Sequence, residues 1–131
     1  MTRASAIAFV VLVAALSGSC RGRTLAPGDT SPVLVGVLLP QSGNLGADGM
    51  TWLAGIQVAV AEVNAAGGVL PGRRVELVIE DSETKRDTSV MRAQALVDRG
   101  VAAIIGDASS SASLADYTMV TQMARVPQNS C

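Results

Sequence analysis

Apolar and polar positions follow two alternating rhythms along this chain. Residues 33–39 are apolar at every position except Gly36. A run that short and that continuous predicts a strand buried on both faces, as in a parallel sheet. Pro40 ends it, and residues 41–46 (QSGNLG) form a turn-rich loop. The rhythm then lengthens. Leu53, Ile56, Val60 and Val63 recur at spacings of three and four, predicting a helix from about 45–48 to 65. Ala54, Ala59 and Ala61 allow close approach to a sheet. Gly67 suits the left-handed cap that stops the helix. Residues 75–80 alternate and predict a second strand, less deeply buried on one side. Asp87 is the expected cap of a second helix over 88–99, with Val90, Met91, Ala93, Ala95, Leu96 and Val97 as its apolar positions. Residues 101–105, between Gly100 and Gly106, predict a third buried strand. Serines 109–111 then open a helix over 112–124, with Ala112, Ala115, Met119 and Met123 on one side. Residues 126–129 begin a fourth strand.

This order of strand, helix, strand, helix, strand, helix places the chain in the α/β class. It predicts right-handed crossovers and a parallel sheet between helical layers, a three-layer sandwich. No internal repeat or low-complexity tract adds to it.

The start of the chain follows another logic. Arg3 precedes an apolar run over residues 4–16, too short to span a bilayer as a helix, and Ser17, Gly18, Ser19 and Cys20 follow. This reads as an export signal over residues 1–19. It resembles a bacterial lipoprotein signal, in which the cysteine is lipidated and becomes the mature N-terminus. That resemblance implies lipidation at Cys20 and an anchor in the membrane. The pattern departs at one place: Leu16 stands four positions before the cysteine, and Ser17 occupies the usual leucine position. Ordinary secretion is the alternative. Residues 20–32, rich in Gly, Pro and Ser, are expected to be a flexible tether, leaving residues 33–131 as one folded unit.

Composition removes several classes of function. The chain of 131 residues contains no histidine, so Ser-His-Asp and Cys-His chemistry and histidine-ligated metals are excluded. Two cysteines, Cys20 and Cys131, make no metal cluster, and Cys131 has no assignable role. A net charge of −1 without a basic patch argues against nucleic acid. Phe9, Trp52 and Tyr117 are the only aromatics, too few for a base-stacking platform. The first loop lacks both G-x-G-x-x-G and G-x-x-x-x-G-K-[ST], which disfavours dinucleotides and ATP. No metal, no cofactor and no catalytic residue is expected.

The remaining candidate chemistry sits at strand ends. Ser109, Ser110 and Ser111 bring hydroxyls and backbone N–H groups together at the positive end of a helix, a receptor for a carboxylate or another small anion. Simple capping is the alternative use of the same groups. Ser42 offers a hydroxyl from the first loop, either to a ligand or to its own turn. Asp81 and Asp107 also stand at strand ends. With Lys85 they suggest a phosphoacceptor domain, but Lys85 lies in a loop beside Asp81 and an exported leader contradicts a cytoplasmic switch. Residues 80–83 (EDSE) are expected to be a solvated strand end, Asp107 a solvated turn residue, Trp52 a core residue and Tyr117 a partly exposed one.

Taken together, the segments resemble the leucine/isoleucine/valine-binding protein family, the extracytoplasmic receptors of ABC importers with the type I periplasmic-binding fold. The matching stretches are residues 35–43 (VGVLLPQSG), 55–68 (GIQVAVAEVNAAGG), 75–81 (VELVIED), 95–106 (ALVDRGVAAIIG), serines 109–111 and 126–128 (VPQ). The resemblance covers about residues 33–130. It implies two α/β lobes that close on a small ligand, commonly an amino acid, and dock on a permease. It also implies that Ser110, flanked by Ser109 and Ser111, holds the ligand's carboxylate, with Ser42 lining the cleft. The family pattern continues beyond residue 128 into a segment that completes the clamp, and then into a second lobe. The chain is therefore read as a truncated N-terminal lobe, and residues 20–131 alone are expected to bind amino acids weakly or not at all. A ligand-sensing module of a receptor or regulator on the same fold is the alternative function.

Overall fold

The computed structural model describes residues 28–70 and 72–129. The expected leader, Cys20, most of the tether and Cys131 lie outside them. Four strands form one parallel sheet in the order β2-β1-β3-β4: β1 (Val33–Leu39), β2 (Val75–Asp81), β3 (Ala103–Ile105) and β4 (Gln128–Asn129). Three helices connect them: α1 (Gly46–Ala65), α2 (Arg86–Asp98) and α3 (Ser110–Tyr117). Among the described residues, no helix is long and apolar enough to cross a membrane.

Alternation along the strands divides the core in two, because successive side chains point to opposite faces. Leu38 and Ile104 face α2 and α3, where they pack with Ala93, Leu96, Val101 and Val120. Val37 and Leu39 face α1 and pack with Leu53, Ile56 and Leu77. This is the expected three-layer α/β arrangement. Burial rises along β1, from partial at Val33 to complete at Val37 and Leu38, so only its carboxyl half is enclosed on both faces.

Local polar contacts set how the layers meet. The Asn64 amide accepts from Val75 N–H at 2.7 Å and donates to Val75 C=O at 2.9 Å, fastening the end of α1 to the start of β2. Gly67 takes the left-handed conformation, with φ +106°, where the apolar stripe stops. Glu80, directed toward α2, is buried between Arg92 and Arg99 at 3.3 and 3.2 Å. Such burial is sustained only with opposite charge beside it. It corrects the expectation of a solvated strand end, and Ser82 is fully buried as well.

Other expectations shift at element ends. Helix α2 starts two residues before 88, with Lys85 at its N-cap, so Asp87 lies inside the first turn instead of capping it. There it complements the helix dipole. Beyond α3 the chain passes into a π-helical turn over Thr118–Met123, with Ala124 N–H bonded to Met119 C=O. Val120, four residues beyond Asp116, is buried completely, and within this wider turn Met123, expected on the apolar side, is 76 % exposed. Trp52 is 41 % exposed on the flank of α1 and is not a core residue. Tyr117 is partly exposed, as expected.

Candidate functional site

The chain passes from β2 to β3 across β1, so the direction of the sheet order reverses between β1 and β3. In open α/β sheets a crevice forms at the carboxyl end of such a switch point, and ligands bind there. The two loops that flank it here are the one after β1, carrying Ser42, and the one after β3, carrying Ser109 to Ser111. Both sequence candidates therefore lie on the same rim of the sheet, on neighbouring strands.

The turn after β3 is tightly built. Gly106 has φ +113°, and a Cβ there would stand 1.8 Å from the carbonyl oxygen of Leu38, so only glycine permits this approach of β3 to β1. Asp107 is completely buried, not solvated. Its Oδ1 accepts from Ser109 N–H at 3.1 Å, and its carbonyl accepts from the buried Ser113 hydroxyl. Ser109 takes the N-cap position of α3 without making a side-chain cap bond. Its carbonyl instead receives Ala112 and Ser113 N–H, while its hydroxyl lies 3.1 Å from that of Ser111. Ser110 and Ser111 are exposed. Their N–H groups stand in the first turn, before any intrahelical carbonyl can receive them. Hydroxyls and N–H donors thus meet at one solvent-facing point, the arrangement an anion receptor requires.

Ser42 is held differently. Its hydroxyl donates to Asp81 Oδ2 at 2.7 Å. Asp81 Oδ1 accepts from the N–H groups of Gln41, Ser42 and Glu83 at 2.8, 3.3 and 2.8 Å. Partial burial works against ionisation of Asp81, but these four hydrogen bonds outweigh it and hold its pKa below the usual aspartate value. Ser42 and Asp81 together fix the first loop, and Thr84 adds a bond from its hydroxyl to Ser42 C=O at 3.1 Å.

Behind the serine turn lies a polar cluster that sequence reasoning missed. Ser89 of α2, Asp116 of α3 and Gln128 of β4 converge on Asp107 and its turn. Ser89 Oγ lies 3.1 Å from Asp107 Oδ2 and 2.9 Å from Asp116 Oδ2. Gln128 Nε2 donates to Asp116 Oδ1 and to Gly106 C=O, at 2.9 and 2.8 Å. A signal existed: Ser89 and Asp116 interrupt otherwise apolar helical stripes, at 89, 93 and 96 and at 112, 116 and 120. A hollow of about 500 Å³ lies elsewhere, at the amino-terminal edge of the sheet, lined by Val33, Leu34, Arg73 and Arg99 among others.

A glycine-set turn rimmed with serines thus stands at the switch point of a parallel sheet. The model of a family described as periplasmic binding protein matches residues 32–126. The chain belongs to the periplasmic binding protein family. It is 34 % identical over 99 residues to a Leu/Ile/Val-binding protein homolog of Brucella abortus, covering 74 % of this chain and 26 % of that protein. A branched-chain amino acid transporter substrate-binding protein of Streptococcus pneumoniae, solved with isoleucine, superimposes with a TM-score of 0.71 at 33 % identity, covering 76 % of this chain and 28 % of that one. A structure from Silicibacter pomeroyi, described as a putative branched-chain amino acid ABC transporter, gives 0.67 at 36 % identity, with 76 % and 25 % covered. The chain thus spans about a quarter of the length of these periplasmic binding proteins.

Proposed function

We propose that this chain supplies the first α/β unit of an extracytoplasmic solute-binding component of an ABC importer, whose ligand is a branched-chain or related amino acid. The observation that carries this reading is the position of the serine turn. It presents Ser110, with Ser109 and Ser111 beside it, at the carboxyl rim next to the switch point. There the hydroxyls and first-turn N–H groups of α3 receive the α-carboxylate, and the field of the helix favours that negative charge. Ser42 and Asp81 shape the opposite wall. The isoleucine bound to the Streptococcus pneumoniae relative supports this choice of ligand class. Delivery to a permease, export through residues 1–19 and lipidation at Cys20 complete the proposal.

An NMR titration of the chain with leucine, isoleucine or valine tests the carboxylate role. The expected result is movement of the Ser109, Ser110 and Ser111 amide resonances at millimolar amino acid, since one wall alone gives a weak site. Leucinamide, which lacks the carboxylate, is expected to leave them still. Equal responses to leucine and leucinamide would refute the assignment.

A further inference from the structure

We propose that Asp116 is held as the neutral acid and that Asp116, Ser89 and Asp107 form a directed chain in which one buried proton sets the serine turn. The count of hydrogens calls for one proton between the two carboxyl groups. Ser89 Oγ stands within hydrogen-bond distance of two carboxylates, Asp107 and Asp116, and all three side chains are fully buried. A hydroxyl carries one hydrogen and can donate to only one of them. Its second short contact needs a hydrogen from the other carboxyl group. Two ionised carboxylates facing one hydroxyl in a buried site would also repel each other with little solvent to screen them.

The remaining partners give the chain its direction. Asp107 Oδ1 already accepts Ser109 N–H, so Asp107 serves as acceptor on that side. Asp116 Oδ1 likewise accepts from Gln128 Nε2, so position separates the two: Asp107 stands just before the amino end of α3, whose field favours the ionised form, whereas Asp116 lies inside the helix with Oδ2 left to carry the hydrogen toward Ser89. The order is then Asp116 to Ser89 to Asp107, with Ser109 N–H closing on Asp107 from the turn. Groups facing Asp116 agree with this. Helix α2 presents Ser89, β4 presents Gln128, and the turn after β3 presents Asp107, the charged group whose field acts on Asp116. The nearby arginines of α2, Arg92 and Arg99, are directed to Glu80 instead. Burial, first of all, raises the pKa of Asp116; the bond from Gln128, and the one Ser89 could give to the ionised form, offset it only in part.

Asp116 and Ser89 are on this account positioning residues: they touch no ligand and act through Asp107 on the backbone of Ser109. Their relevance to ligand binding rests on the carboxylate reading of the turn, whereas the proton itself does not, so the test omits any amino acid. A group whose pKa is higher in the folded state loses stability as pH rises above its unfolded value. The folded-to-unfolded ratio of the chain is therefore expected to fall with rising pH above the usual aspartate range, by up to about tenfold per unit. Asp116→Asn mimics the neutral acid, donating from Nδ2 to Ser89 and accepting from Gln128 through Oδ1. It is expected to remove this loss, while Ser89→Ala weakens the fold at all pH values.

Carboxyl-carbon NMR of the unsubstituted chain provides the second measurement. The Asp116 resonance should titrate above the usual aspartate range, with the Ser109 amide moving in step. Asp107→Asn reverses the chain, because the amide introduced by that substitution donates to Ser89, and should bring the Asp116 titration back down. Parallel stability profiles for the unsubstituted chain and Asp116→Asn, or an Asp116 resonance that titrates in the ordinary range, would overturn the proposal.

Discussion

Asp81 shows how a single carboxylate can organise a loop without being fully buried. It gathers four hydrogen bonds, three from backbone N–H groups and one from Ser42. Because these bonds favour the ionised form, its pKa is lowered in the folded chain. The stability it contributes is present above the unfolded value, about 4, and is lost as pH falls through the lower folded value. Urea unfolding at pH 7 and pH 3 should show a smaller acid loss for Asp81→Asn than for the unsubstituted chain; an identical loss would mean that the bonds do not couple to folding. Ser42 and Asp81 could both be picked from the sequence as strand-end polar residues. Their bond to each other could not, because it joins loops 39 residues apart. The same limit explains Asp107. Alone in a turn, an aspartate reads as solvated, and only its meeting with Ser89, across α2, reveals a buried acceptor.

At the scale of elements, amphipathic spacing carried most of the information and failed where the backbone departed from 3.6 residues per turn. Helix α2 buries Ala93 and Leu96 as expected, together with Ser89, but Met91, expected among its apolar positions, is 65 % exposed. Leu96→Ala is expected to cost roughly 3 kcal/mol through the cavity it leaves against Leu38 and Ile104. Met91→Ala should change stability by less than about 0.5 kcal/mol, and chemical denaturation of both variants measures the contrast. The stretch after α3 disobeys its pattern. Its π-helical turn shifts the register, so Met119 packs inward while Met123 points to solvent. Nothing in residues 118–123 announces that turn, within which Val120 packs in the core with Leu96 and Ile104.

Across the whole molecule, the two faces of the sheet are covered unequally. Among the described residues, helices α2 and α3 enclose one face, and α1 alone lies on the other. Helix α1 is apolar well beyond its buried stripe: Met50, Trp52, Val58 and Val63 are all exposed, with Ile79 of the edge strand β2 37 % exposed on the same side of the sheet. A helix apolar over so much of its circumference is built to be covered on several sides. Surface of this kind promotes association. Sedimentation of the chain should show concentration-dependent self-association, reduced by the double substitution Trp52→Gln and Val58→Glu. A monomer at all concentrations would show that the patch is too dispersed to bind. Trp52 illustrates the limit of composition-based reasoning, since a lone tryptophan in an apolar helix reads as core until the partner layer is known.

By itself, the order of apolar runs determined the α/β class, the parallel sheet and the carboxyl-end placement of the serines, because local periodicity and glycine positions fix strands, helices and turns. The same residues carried the family resemblance. Tertiary structure alone decided which polar side chains are buried together. Ser89, Asp107, Asp116 and Gln128 come from four different segments, and their shared proton is a property of their meeting. No local pattern encodes it, since each is an ordinary polar residue until folding removes the water around it.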